Sequence, residues 1–281
     1  MEQVLAFLDY LESERRCTAN TRNQRLAAVR SLFKYIGRQT PELLLHAHQV
    51  CSINMKATEE KTIEYLTSEE LAALTASMDL NTDLGVRDYA LVLLLFNTGA
   101  RVSEIVNLKI DDIVLTGSPK INILGKGNKP RACVLWDDTV QALRAHIELR
   151  SPRKADDEHV FLNAVGDPLT RFGVTHILKK YAALAKDQCP SIATKRITPH
   201  VMRHSTAMHL LISGIEVAMI ALWLGHARLE TTNKYVECNM EMKRQIIENV
   251  EVPKGRRPRR KWHTPRMLDW LDSLTNPVPI M

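Results

Sequence analysis

Arg101, Lys126, His200, Arg203, His226 and Tyr235 follow one another along the chain, and their types suit one kind of chemistry. Breaking a phosphodiester gathers extra negative charge on its non-bridging oxygens at the transition state. Guanidiniums stay charged and donate two hydrogen bonds at once, so Arg101 and Arg203 suit those oxygens better than lysines would. His200 and His226 add hydrogen bonds to the same phosphate, and His200 is also placed to help manage a proton. A tyrosine phenol has an ordinary pKa of about 10. As a nucleophile Tyr235 therefore needs cationic surroundings, and this set supplies them. His200 and Arg203 are i and i+3, so on a helix they project from one face.

Taken singly, each of these residues has a plainer reading. His200 and Arg203 are a packed histidine and a surface arginine on a capped core helix, and Tyr235 is a half-buried helix residue. Lys126 in "GKGNK" is an ordinary turn residue, since no G-x-x-x-x-G-K-[ST] pattern is present. His204 and His209 flank the same helix and raise the question of metal, but no H-E-x-x-H pattern occurs, and no metal or other cofactor is expected. The set argues for a site only as a set.

The elements that must position it are mostly helical. "CTANTRNQRLAAVRSLFKYIG" carries an apolar stripe of Leu26, Val29, Phe33 and Ile36, with Arg22, Arg25, Arg30 and Lys34 mostly outside it and Gly37 as the expected C-cap. A second amphipathic segment, "EQVLAFLDYLESERR", precedes it, and the polar "KATEEKTIEY" follows as a linker. Thr67 and Glu70 have capping-box spacing ahead of a helix. A very apolar helix then runs to a turn at Thr98–Gly99, and a further helix begins near Arg101. "INIL" and "ACVLW" flank "GKGNKPR" as a hairpin with a basic tip. "DDTVQALRAHIEL" and "FGVTHILKKYAALA" read as helices, with "HVFLNAVGDPLT" between them as a strand and turn. Thr198 caps a helix with Pro199 at its first position. Near the end, Met267, Trp270, Leu271 and Leu274 share one helical face that needs a partner surface. The expected fold is mainly α with a small antiparallel β-sheet. Its expected parts are a helical domain at 1–58, a catalytic domain at 59–250 and a basic tail at 251–281.

Net charge is +6, and its distribution says more than its size. Seven Lys/Arg and no Asp/Glu lie between Arg15 and Arg38, and seven more with no acid lie between Val252 and Arg266. Two single-sign blocks favour a polyanionic partner over a solvated face. The apolar run Ala90–Phe96 is far too short to span a bilayer, and the N-terminal residues lack the features of a signal peptide. Five scattered cysteines without a C-x-x-C pair fit reduced thiols in a cytoplasm.

The stretches "NTGARVSEI", "LGKGNKPR", "HVMRHSTAMHLL" and "LGHARLETTNKYVE", in this order, resemble the motifs of the tyrosine recombinase (phage-type integrase, Xer-like) family. The resemblance covers most of Thr67 to Glu237, with Met202 standing where leucine is usual. It implies a site-specific recombinase serving a mobile element, one that cuts DNA with Tyr235 to leave a 3′-phosphotyrosine and a free 5′-hydroxyl. Lys126, on the hairpin tip, would reach the minor groove and protonate the leaving oxygen. Glu104 matches the family's acidic position and would orient Arg101. Arg22, Arg25, Arg30, Lys34, Lys129 and Arg131 are the expected DNA contacts.

The resemblance further implies double-stranded DNA as partner, a homotetramer on two DNA sites, a C-terminal segment docking on a neighbour, and no need for metal or ATP. About two helices precede the catalytic part where the family carries four or more, so a shortened DNA clamp is expected. The nearest rival in chemistry is a type IB topoisomerase, which the motif spacing disfavours. A DNA-binding accessory protein, or an inactive fragment of such a recombinase, would be marked by loss of Tyr235 or an arginine, and neither is lost. A helical interaction module would need no Arg and Lys at these positions.

Overall fold

The computed structural model describes residues 1–58, 63–125, 130–150, 157–225, 231–232 and 235. Lys126, Lys129, His226 and the whole tail at 251–281, with its Met267–Leu274 stripe, lie outside the described residues. The chain divides into two compact units, Met1–Thr62 and Ile63–Met281. The boundary expected after residue 58 falls just before that division.

The first unit holds α1 (Glu2–Ser13), α2 (Ala19–Gln39) and α3 (Leu44–Cys51). The Thr18 hydroxyl accepts the Thr21 N–H and starts α2. Leu26 packs on Leu8 and Leu11 to form a small core. Gly37 does not end the helix as expected: α2 continues to Gln39. A Cβ at this buried position would meet that of Ala47 at 3.0 Å, so the glycine lets α3 approach. The sequence pattern did not announce α3, because Leu44 and Leu45 are exposed and blur its periodicity.

Two of the expected DNA contacts on α2 are also engaged within the first unit. Arg22 is only 7% exposed, donates to the Asn54 carbonyl at 3.3 Å and lies 3.8 Å from Glu12. Arg30 donates to the Ile53 carbonyl. Residues 22, 26 and 30 recur every four positions, so both arginines share a helix face with fully buried Leu26 and tie α2 to the segment after α3. Arg25 and Lys34, off that stripe, are exposed.

The second unit opens with α4 (Ser68–Ala76), whose capping box is formed in both directions. Thr67 Oγ1 accepts the Glu70 N–H, and Glu70 Oε2 accepts the Thr67 N–H at 2.8 Å. Next is α5 (Asp83–Thr98), apolar on almost every side, which packs against α7 (Asp137–Leu149) and α9 (Pro199–Ile212). Ala90, Leu91, Val92, Leu94 and Leu95 are buried along it. Each fully buried leucine or valine there contributes roughly 1.5–3 kcal/mol.

A short α6 (Val102–Val106) leads to an antiparallel sheet of order β1 (Ile113–Val114), β2 (Lys120–Leu124), β3 (Pro130–Val134). Ile121 faces Cys133 across β2 and β3, and both turn into the core. "HVFLNAVGDPLT" is not a strand. It makes only two isolated bridges, Lys109 to His159 and Leu162 to Pro168, and turns through Gly166 at φ 82°. The Gly-Asp-Pro tip breaks the run before a ladder can extend. Then come α8 (Arg171–Ala185), α9 with its Thr198 cap and Pro199, and α10 (Val217–Leu224). The fold is mainly α with one small antiparallel sheet, as expected. Among the described residues no helix is long and apolar enough to cross a membrane. Cys17, Cys51, Cys133 and Cys189 are free thiols.

Candidate active site

The site forms where α5 ends. Gly99 caps that helix in the left-handed region at φ 55°, and its N–H donates to the Leu95 carbonyl at 2.9 Å. A Cβ there would sit 2.4 Å from Leu224 of α10 and 3.3 Å from Thr206 of α9. Glycine is required twice over, for its backbone and for the approach of the other two helices. Two residues on, Arg101 is the N-cap of α6, extended at φ −70° and ψ 146°.

Glu104 organises this corner. Its Oε1 accepts from Arg101 Nη1 at 2.9 Å, and its Oε2 accepts the Arg101 N–H at 2.9 Å and Arg131 Nη2 at 2.7 Å. Burial alone pushes the Glu104 carboxyl up. The hydrogen bonds from Arg131 and from Arg101 outweigh that and hold it below its ordinary value of 4.5. A depressed folded value means that Glu104 contributes stability above pH 4.5 and loses it as pH falls through the folded value.

Arg131, expected as a DNA contact, is a member of this cluster. It lies on β3 two residues before core-facing Cys133, and the two-residue period of a strand turns it inward as well. Its guanidinium also lies against Gly225, where a Cβ would meet Nη1 at 3.0 Å. Glu104→Ala should leave Arg131 buried without its carboxylate, at a cost of about 3–5 kcal/mol, measured by denaturant unfolding. A loss below about 1 kcal/mol would show the pair to be a surface-type bridge.

Arg203 comes up from α9 into the same place and is 4% exposed. Nη1 donates to the Gly99 carbonyl at 2.5 Å and Nη2 to the Leu224 carbonyl at 2.8 Å, which ties together the ends of α5 and α10. Burial, then the charge of Arg101, bring its pKa down to about 10, while Glu104 and Tyr235 pull the other way. It remains a cation at neutral pH.

The side chain of Arg101 keeps 37% of its surface in contact with solvent and opens onto two clefts. One, about 500 Å³, is lined by Arg101, Arg171, Thr198, His200 and Arg203. The other, about 690 Å³, runs from Arg101 and Lys109 to Asn122 and Gly125 at the hairpin.

Tyr235 is 1% exposed among Ala207, Met208 and Leu211 of α9 and Ile220 and Leu224 of α10. Burial pushes its phenol up to about 12, against the pull of Arg203. Its hydroxyl is hydrogen-bonded to Nδ1 of His204 at 2.8 Å. His200, exposed at the start of α9, has its ring 5.1 Å from that of His204. The structure thus brings Arg101, Glu104, Arg131, His200, Arg203 and Tyr235 together and adds His204, to which the sequence assigned no role. In the sequence it stood out only together with His209, where the pair raised the question of metal. His209 is accounted for structurally, with Nε2 2.8 Å from the Leu66 carbonyl and its ring edge-on to Phe96. Among the described residues no group of His, Cys, Asp and Glu is arranged to hold a metal ion.

A corner with two arginines and a tyrosine suits phosphoryl transfer, and comparison with known proteins agrees. The phage integrase family matches residues 64–242. The putative integrase/recombinase y4rC of Sinorhizobium fredii is 36% identical over 256 residues, covering 91% of this chain and 76% of that protein. Tyrosine recombinase XerC of Myxococcus xanthus is 32% identical over 236 residues, covering 82% of this chain and 75% of that one. Two solved structures share the fold. XerH site-specific recombinase bound to its palindromic difH substrate after cleavage has a TM-score of 0.70 at 22% identity, covering 88% of this chain and 72% of that one. The Tn1549 transposon integrase with circular intermediate DNA also has a TM-score of 0.70, at 16% identity, covering 88% and 84%. This chain therefore belongs to the phage integrase family, the tyrosine recombinases, which cleave and rejoin DNA.

Proposed function

We propose that this recombinase acts at specific DNA sites of a mobile element, through a 3′-phosphotyrosine on Tyr235, as four protomers on two duplexes. The observation that carries the reading is the convergence of Arg101, Arg203 and Tyr235 in one corner, with the charge of Arg203 acting directly on the phenol. The scissile phosphate enters the cleft beside Arg101 and His200, where Arg101 and His200 donate to its oxygens. Arg203 supplies fixed positive charge from behind. Glu104 and Arg131 hold Arg101 in place. The phenol oxygen of Tyr235 attacks phosphorus, and the 5′-oxygen leaves with a proton from Lys126. His226 adds a further hydrogen bond to the phosphate. Arg25, Lys34 and Lys129 contact the DNA backbone, and the tail docks on a neighbouring protomer.

The phosphotyrosine ester retains the bond energy for rejoining, so no ATP is used, and the two arginines take the part that metal ions play in many nucleases. Support for a mobile element comes from relatives: y4rC is named as a putative integrase/recombinase, and one structural neighbour is a transposon integrase. The test is to incubate the protein with nicked duplexes from the flanks of its own gene, in EDTA, and run denaturing gels. A shifted, protease-sensitive DNA band is expected. Clear DNA binding with no adduct would favour the accessory-protein reading, and adduct only with added Mg²⁺ would contradict the metal-free mechanism.

A further inference from the structure

We propose that His204, and not His200, takes the phenolic proton of Tyr235 as it attacks. The assignment rests on the phosphotyrosine reading above and goes further by naming the base. It stands on geometry. The hydroxyl of Tyr235 is 2.8 Å from Nδ1 of His204, within the reach a general base requires. The His204 and Tyr235 rings are held edge to face, 5.6 Å apart. His200 meets the ring of His204 instead, and it lines the cleft with Arg101 and Arg203, where a phosphate oxygen is its natural partner.

His204 follows Arg203 on α9, so one helix carries both the cation that attracts the phosphate and the base that readies the nucleophile. A neutral imidazole with its hydrogen on Nε2 presents Nδ1 as an acceptor, and the phenol donates to it. In the cleavage step the Tyr235 oxygen–phosphorus bond forms and the phenol proton passes to Nδ1 of His204. The bond from phosphorus to the 5′-oxygen breaks, and that oxygen takes a proton from Lys126. On rejoining, the 5′-hydroxyl attacks, its proton returns to Lys126, and the imidazolium of His204 gives its proton back to the departing phenol.

The experiment compares single-turnover adduct formation by the full-length wild type, His204→Gln, His204→Ala, His200→Ala and Lys126→Ala. Each meets two nicked duplexes, one with the normal 5′-oxygen and one with sulfur in its place. Sulfur leaves without a proton, so it removes the need for an acid at the leaving group and leaves untouched the need for a base at tyrosine. Both His204 variants should be slower by about 10²–10⁴-fold on either substrate, while Lys126→Ala should recover on sulfur. His204→Gln, close in volume to histidine, carries the comparison where His204→Ala does not fold. A second measurement separates chemistry from packing. With 3-fluorotyrosine at position 235, whose phenol ionises more readily, the penalty for losing His204 should shrink.

His204 variants within a few-fold of wild type would overturn the assignment. So would their rescue by sulfur, or a penalty that fluorination leaves unchanged. A wild type that gives no adduct on either substrate would overturn the phosphotyrosine reading and this assignment with it.

Discussion

Tyr235→Phe should bind duplex DNA as tightly as the wild type and form no covalent adduct. Phenylalanine removes the atom proposed to attack phosphorus and leaves Arg101, Arg203 and His200 in place, so binding and cleavage should separate completely. The fold survives the change. The phenol ring lies in an apolar cluster of α9 and α10, which phenylalanine fills equally well. The lost hydrogen bond to His204 costs about 0.5–1.5 kcal/mol. A gel shift and a denaturing gel on the same samples make the check, and an adduct formed by this variant would move the nucleophile elsewhere. The hydroxyl also sets a limit at high pH. With the folded value near 12 against an ordinary 10, the unfolded chain loses its proton first, so stability falls as pH rises from 10 toward 12.

Arg203→Ala should slow adduct formation by about 10²–10³-fold or more and destabilise the protein as well. The rate falls because a fixed charge beside the phosphate is gone. Stability falls because the Gly99 and Leu224 carbonyls lose their donors in a buried place, each unsatisfied group costing about 1–3 kcal/mol. Arg101→Ala should match it in rate, again by about 10²–10³-fold, with much less effect on stability, since the Arg101 side chain is part-exposed at the mouth of two clefts. Single-turnover cleavage and denaturant unfolding of the two variants side by side make the test. A mere few-fold loss of rate in either would argue against phosphate clamping. Equal losses of stability would contradict the buried, helix-tying position of Arg203.

Local chemistry was legible wherever a few consecutive residues settle it. The Thr67–Glu70 capping box, the Thr198 cap with Pro199 and the turn at Thr98–Gly99 all satisfy main-chain groups within three or four residues, and all three form as read. The same holds for the hairpin strands on either side of Lys126 and for the helix at Asp137–Leu149. Sequence misled where a residue's role depends on what crosses it. Gly37 looked like a helix end because glycine often is one; it is instead the place where α3 crosses α2. The hydrogen bonds from Arg22 and Arg30 to the carbonyls at Asn54 and Ile53 were equally invisible, because they depend on the segment that follows α3.

By itself the sequence determined the family and the mainly helical fold, and it singled out Arg101, Glu104, Arg203 and Tyr235 as candidates, because each rests on residue type, order and short-range hydrogen bonding. Tertiary structure alone decided which side chains face each other. It brought Arg131 onto Glu104, turned Arg203 to the ends of two helices, and set His204 against a phenol thirty-one positions away. A hydrogen bond between such distant residues is fixed by how helices pack, and packing depends on the whole core at once, not on any stretch that can be read in isolation.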